Sequence, residues 1–485
     1  MKKITIDPIT RLEGHGKIEI FMNDAGNVEN AYLQIPELRG FERFCEGRRA
    51  EDMPIITPRI CGVCPTAHHF AATKALDSAF NVEPTKTAKK LRELMYAGNY
   101  IYDHTLHFYF LGGPDFVVGP DAPPGERNIF GVLKKVGLDI GKEVIKHRAY
   151  GQKITEMIGG KATHPTCGIP GGISKGLNEE ERQSIENMAR SSIDFAKFTL
   201  KVFDDIVLAN EDYVNLILND AYQLDTYNMG LVDKNNNVNF YDGDLRVTDQ
   251  KGNEYDKFQS GDYLNKITEH VEPWTYSKFT YLKEIGWNGF TGGPDSGIFR
   301  VGPLGRLNAA DGMATPLANE EYKRMYKTLG GRPVNSTLAF HWARLTELLY
   351  AAERTLELSL DPGITGTDLR NPVGEPGEGV GVIEAARGVL VHHYKVNKEG
   401  MIDKANLIVA TTNNYASICM SIRDAAKGLI KNHVVNDGLL NMVEMAFRAY
   451  DPCFGCSTHS LPGQMPMTVN IYDANNNLAQ TVRRE

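Results

Sequence analysis

Two Cys-x-x-Cys pairs lie near opposite ends of the chain, Cys61-Gly62-Val63-Cys64 and Cys453-Phe454-Gly455-Cys456, each followed by a histidine, His68 and His459. One such pair is a weak signal: a redox disulfide, half a zinc site or two packed cysteines all fit it. Two pairs make a four-thiolate set, and soft sulfur ligands select zinc, copper(I), iron–sulfur clusters or another thiophilic metal. The expectation is a fold whose two ends meet around one metal centre.

The remaining composition narrows the choices. The 485 residues can bury a large core. A formal net charge of -8 with no Lys/Arg tract argues against a nucleic-acid partner. No apolar run reaches the ~18 residues of a membrane span, and the opening Met1-Lys2-Lys3-Ile4-Thr5-Ile6 shows no signal-peptide core. Seven cysteines are too few for a disulfide framework. With only Cys45, Cys167 and Cys419 outside the motifs, a reducing, cytoplasmic setting is expected.

Along the chain, Ile4 to Phe21 and Val28 to Ile35 read as a hairpin about Asp24-Ala25-Gly26-Asn27, with Glu13 on a solvated strand face. Thr66 to Phe80 has helical spacing. That places Cys61 and Cys64 on the turn into a helix, whose N-terminus favours thiolate over thiol. Longer helices are expected over Thr85–Phe110 and Ile129–Ile158, from Asn178 towards Leu218, and over Ser336–Leu360, with Asn178 and Glu181 as a capping box. Asp103 and His107 share a face of the first of these, and a buried Asp needs a partner. Residues 229–307 read as a β-rich insertion within a single domain, 1–459. Pro372 to Gly381 reads as a Gly/Pro/Glu-rich loop; Val389–Tyr394 and Leu407–Ala410 read as strands, the second ending in Thr411-Thr412-Asn413-Asn414. Taken alone, Arg387 reads as a surface arginine; beside thiolates it could neutralise their charge. Helices around Met420–Lys431 and Leu439–Tyr450 lead to the second motif, and residues 460–485 form an extension read as a peripheral hairpin.

A structural four-cysteine zinc site is one reading of the sulfur set, but such sites staple small modules and this chain needs no staple. A thioredoxin-like motif explains one pair and not two. A catalytic site accounts for more of the sequence. The segments Thr10-Arg11-Leu12-Glu13-Gly14-His15, Arg39-Gly40-Phe41-Glu42, Arg59-Ile60-Cys61-Gly62-Val63-Cys64, His104-Thr105-Leu106-His107-Phe108-Tyr109, Glu384-Ala385-Ala386-Arg387-Gly388 and Asp451-Pro452-Cys453-Phe454-Gly455-Cys456 resemble the large subunit of a [NiFe] hydrogenase, through nearly the whole chain.

The resemblance implies an α+β fold, mainly helical, with a long-helix bundle core and small peripheral β-sheets. It implies reversible heterolytic cleavage of dihydrogen. Cys61 and Cys453 would be terminal nickel ligands, and Cys64 and Cys456 would bridge nickel and iron. The iron would carry carbon monoxide and cyanide in a dry pocket to which Arg387 and Thr411 correspond. Glu42, the Leu407 carbonyl and His459 correspond to a second site for magnesium or iron, where oxygen ligands suit a hard cation. Cys453 would accept the proton and pass it to Glu13. Arg387, held by Asp103 and Asp451, would stabilise separated charge, and Phe70 would help exclude water. Ala386 stands where the family usually has proline.

The spare cysteines are too few for an iron–sulfur relay, so an iron–sulfur small subunit is an implied partner. His392-His393-Tyr394, Val409-Ala410-Thr411-Thr412 and Gly463-Gln464-Met465-Pro466 are most similar to soluble cytoplasmic members. These imply further electron-transfer subunits of flavin/NAD or heterodisulfide-reductase type. The residues after His459 imply a maturation endopeptidase. The alternatives are a non-catalytic hydrogen sensor and a complex I-like scaffold; the tail argues against the first and the four cysteines against the second.

Overall fold

The computed structural model describes residues 2–458, 467–473 and 477–484. The chain opens with a three-stranded antiparallel sheet, β1 (Lys2–Ile6), β2 (Lys17–Met22) and β3 (Val28–Gln34), in spatial order 1-2-3. Ile18, Ile20 and Met22 alternate inward, as period-2 burial requires. Pairing of Ile6 with Ile18 leaves residues 7–16 as a loop. This corrects the strand reading of Glu13. Arg11, at φ 61°, and Gly14, at φ 88°, turn the segment out of extended geometry.

Helix α1 (Pro65–Ala79) begins directly after Cys64, with proline in its first turn, where a missing N–H costs nothing. Four long helices follow: α2 (Lys86–Leu106), α3 (Leu138–Gly159), α4 (Glu179–Phe203) and α5 (Phe340–Ser359). Each packs on its neighbours in the order α2–α3–α4–α5–α2, closing a bundle. Helix α5 is buried almost all round, as expected of a central helix. Its Trp342, Leu345 and Leu348 are fully enclosed, each worth about 1.5–3 kcal/mol of burial.

The Asn178–Glu181 capping box forms as expected at the start of α4. Two helix expectations need correction. Residues 129–158 are two helices, broken at Gly137, whose φ of 92° a helix cannot hold. Helix α2 stops at Leu106 and passes into a wider π-helical turn, His107–Gly112; His107 still bonds the Asp103 carbonyl through its amide, one turn on, while its ring reaches the Arg448 carbonyl at 2.8 Å.

Residues 227–300 supply short strands around Tyr227–Val232, which pairs with Asp244–Thr248 and, in parallel, with Phe299–Arg300. Their apolar side chains share one cluster with Val382, Val389, Val391 and Ile408 from a second sheet. That sheet is antiparallel: β4 (Glu378–Ala385), β5 (Gly388–Val396) and β6 (Ile402–Ile408). Strand β4 runs into the stretch expected to be a loop. A Cβ on Gly379 would lie 2.2 Å from the Ala79 nitrogen and one on Gly381 2.3 Å from the Ala71 oxygen, so these glycines let the strand lie directly on α1. After β6 the chain turns at once into α6 (Ala410–Leu429), then α7 (Asp437–Arg448). Thr411 to Asn414 are therefore the first turn of a helix, not the end of a strand. In the tail, Met467–Tyr472 and Leu478–Arg484 pair antiparallel, as expected.

Candidate metal centre

The four motif cysteines meet. Their sulfurs lie within 4.8 Å of one another and all four residues are buried. Cys61 and Cys453 are 3.4 Å apart, Cys64 and Cys456 3.6 Å, and Cys453 and Cys456 2.8 Å. Cys64 occupies the cap position of α1, while Cys61 precedes it in extended backbone after a short 3-10 turn. The amides of Val63 and Cys64 point at the Cys61 sulfur from 3.2 and 3.3 Å. The second pair follows α7 after Asp451, which turns the chain at φ 58°.

Glu13 arrives on the loop between β1 and β2. Its backbone pairs with the second motif, the Glu13 amide donating to the Pro452 carbonyl at 3.4 Å and the Phe454 amide to the Glu13 carbonyl at 3.0 Å. Its Oε2 then lies 2.8 Å from the Cys453 sulfur and accepts the Gly455 amide at 3.1 Å. Burial, aided by the Cys61 charge, holds its carboxyl above the ordinary range, against the pull of Cys453, Arg387 and the Gly455 amide. A carboxyl raised in this way suits a group that takes up and releases protons.

The loop is fastened by charged groups that sequence reasoning missed. Arg11 Nη1 donates to the Leu111 carbonyl at 3.0 Å and Nη2 reaches Asp115 at 2.5 Å. Arg448 on α7 meets the same Asp115 at 3.2 Å and donates to the Thr10 carbonyl at 3.1 Å.

Arg387 sits at the β4–β5 turn and is buried, so the surface reading is corrected. Its Nη1 donates to Asp103 at 3.1 Å, and its Nη2 stands 2.8 Å from Asp451. Burial alone would lower its pKa; Asp103 and Asp451 outweigh that and keep it charged. Asn414 holds the Arg387 carbonyl at 3.1 Å. Behind this group Arg344 donates to the Ala449 carbonyl at 2.9 Å. A buried Glu347 then joins His104 at 2.9 Å and Arg306 at 3.3 Å.

Thr411 Oγ1 accepts the Cys453 amide at 3.0 Å, tying α6 to the sulfur cluster. Arg39, singled out in sequence without a role, donates through Nη1 to the carbonyls of Ile60 at 2.6 Å and Gly455 at 2.9 Å. A buried chain also runs His68 Nδ1–His392 Nε2 at 3.0 Å and His392 Nδ1–Tyr394 Oη at 2.6 Å, starting one helical turn beyond Cys64. Phe70 is fully buried, its ring edge-on to Tyr96 and Tyr241. Ala386 is buried beside Arg387.

The second-site residues are partly gathered. The Leu407 amide donates to Glu42 Oε1 at 2.9 Å, and burial pushes the Glu42 carboxyl up to about 7. Glu42 lines a cavity of about 350 Å³ with Glu46, Lys278 and His393. His459 lies outside the described residues.

Soft donors converging in one buried pocket fit thiophilic metal ions, with titratable and cationic groups at the rim. Residues 39–122 and 143–459 match the nickel-dependent hydrogenase family, and residues 3–38 match the HoxL-like family. Over the whole length of both chains the protein is 50% identical to an iron-sulfur subunit of the F420-non-reducing hydrogenase of Archaeoglobus profundus. It is 37% identical, over 98% of each chain, to the NAD-reducing hydrogenase HoxS subunit beta of Cupriavidus necator. A crystal structure of an NAD+-reducing [NiFe]-hydrogenase in the H2-reduced state superposes with a TM-score of 0.89 at 37% identity, covering 95% of this chain and all of that one. Among the described residues no helix is long and apolar enough to cross a membrane.

Proposed function

The chain belongs to the nickel-dependent hydrogenase family, and from that premise we propose that it is the catalytic subunit of a [NiFe] hydrogenase, interconverting dihydrogen with protons and electrons. The observation that carries the reading is the meeting of four buried sulfurs with Glu13 on one side and a doubly held Arg387 on the other. Cys61 and Cys453 would hold nickel, with Cys64 and Cys456 shared between nickel and iron. Bound there, the metal pair supplies the redox and Lewis-acid chemistry that splits dihydrogen heterolytically. The chain supplies the rest. Cys453 takes a proton and Glu13 removes it across 2.8 Å, within direct transfer range. Arg387 stays charged and fixed in a dry environment, where it stabilises charge as it separates. Arg387 and Thr411 would surround the carbon monoxide and cyanide on iron. Glu42, the Leu407 carbonyl and His459 would hold magnesium or iron at the second site.

Electrons leave through an iron–sulfur small subunit to a soluble acceptor, either NAD(P) or a heterodisulfide-reductase-type partner, in a cytoplasmic complex. The name of one relative, NAD-reducing, supports the first acceptor. Residues 1–459 form the working domain, and an endopeptidase removes 460–485 after metal loading. An infrared spectrum of the complex, purified without oxygen and with its native partner, tests the reading. Bands of iron-bound carbon monoxide and cyanide are expected; a fully matured complex without them would sink it. Intact mass of the active large chain tests the cleavage, which predicts a C-terminus at His459.

A further inference from the structure

Arg39 holds the backbone of both cysteine motifs. Nη1 donates to the carbonyl of Ile60, immediately before Cys61, and to that of Gly455, immediately before Cys456. Its own amide donates to the Thr458 carbonyl at 3.1 Å, two residues past Cys456. A weaker approach of Nη2 to the Arg59 carbonyl, 3.5 Å, completes the set. The Phe41 ring flanks the guanidinium, 5.1 Å from its centre. One residue thus connects segments separated by almost the full length of the chain.

The need for such a tie follows from chain connectivity. Four sulfurs within 4.8 Å come from two segments joined only through the body of the fold, so their spacing depends on how the two segments are held to each other. The first pair is anchored by α1, but the second lies on a short turn held by neutral or backbone contacts from Thr411, Thr412 and Ser277 and by Glu13. Charged donors on carbonyls are stronger than neutral ones, and the rigid, planar guanidinium holds its donors in fixed directions where a lysine ammonium is a flexible, strongly hydrated point charge.

We propose that Arg39 is a positioning residue that locks the two cysteine motifs in register, so that the four sulfurs are pre-organised to take and retain metal. The proposal rests on the hydrogenase reading above, but its test is separable from it. The wild-type complex, purified with its native partner, is compared with Arg39→Met and Arg39→Lys for nickel content, infrared bands and rate of nickel loss to an external chelator. Circular dichroism and co-purification of the partner report folding.

If the wild-type complex holds no nickel and shows no diatomic bands, the hydrogenase reading fails. If it does, the proposal expects Arg39→Met to lose nickel about ten- to hundredfold faster, the scale of one or two charge-assisted hydrogen bonds. Its infrared bands should shift while folding is retained. Arg39→Lys should fall between Arg39→Met and wild type, because it keeps a charged donor but on a flexible stem that holds the carbonyls less firmly. Unchanged nickel loss and band positions in a folded Arg39→Met complex would overturn the proposal. Should Arg39→Met fail to fold, a folded Arg39→Lys complex with wild-type nickel retention and bands would overturn it equally.

Discussion

Glu13 and Cys453 stand 440 positions apart in the chain, yet the carboxylate oxygen of one lies 2.8 Å from the sulfur of the other. The contact is built from the backbone outward, since the two residues also pair as a short parallel bridge. If Glu13 is the first proton acceptor beyond the thiolate, Glu13→Gln keeps the shape and removes the base. Dihydrogen turnover should fall by about 10²–10⁴, the usual weight of a positioned acid–base group. Nickel content and diatomic infrared bands should remain. Near-normal turnover in Glu13→Gln would move the proton route elsewhere.

Gly455 makes room for that contact. A Cβ there would lie 2.8 Å from Glu13 Oε1 and 3.0 Å from Arg39 Nη1. Gly455→Ala should therefore displace the carboxylate without touching a sulfur. A shift of about 1 Å in such a group costs on the order of a hundredfold in rate. Steady-state turnover combined with solvent isotope effects would detect it, proton transfer becoming rate-limiting in the variant.

Arg387 is held from two sides, by Asp103 and Asp451. Lysine in its place reaches only one of them and leaves the other buried without a partner. Arg387→Lys is expected to lower turnover by about 10²–10³, as loss of a pre-organised electrostatic group does. Nickel stoichiometry by elemental analysis should stay unchanged, because no sulfur loses a bond.

Asp115 anchors the Glu13 loop through Arg11 and Arg448. Burial would raise its carboxyl pKa, but the two guanidinium groups outweigh that and hold it below the ordinary range. A carboxyl depressed in the folded state contributes stability above its unfolded pKa of about 3.9 and loses it as pH falls through the lower folded value. Asp115→Asn should cost about 3–5 kcal/mol near neutrality, since it leaves buried guanidinium charge uncompensated. Thermal melts from pH 7 down to about 3 should show the variant's deficit shrinking at the acid end. An equal deficit at every pH would mean that the side chain acts by packing.

How much of this was legible in the sequence depended on whether a residue's role shows in its type and spacing. The cysteine pairs could be read because thiols at that spacing do few things. The place of Glu13 could be read only through the family resemblance, since its neighbours in sequence look like an ordinary strand and its partner Cys453 follows the last long helix. Arg387 read as a surface residue because the carboxylates that allow its burial, Asp103 and Asp451, come from other elements. Strand β4 was hidden by Gly379 and Gly381, whose low strand preference is offset by close contact with α1. Arg39 left no trace of its role because it serves backbone carbonyls, which every residue has. The helix bundle was largely readable, and its errors fell at Gly137 and His107, where backbone geometry changes inside an apolar pattern.

The joining of the first motif to the last has a consequence for synthesis. A ribosome makes the amino end first and the bundle can assemble as it emerges, but Cys453 and Cys456 arrive only when the chain is nearly finished. A truncated product can own most of the scaffold and still lack half of the sulfurs. Metal occupancy therefore serves as a certificate that translation has passed Cys456: what can be loaded already owns both halves of its sulfur set.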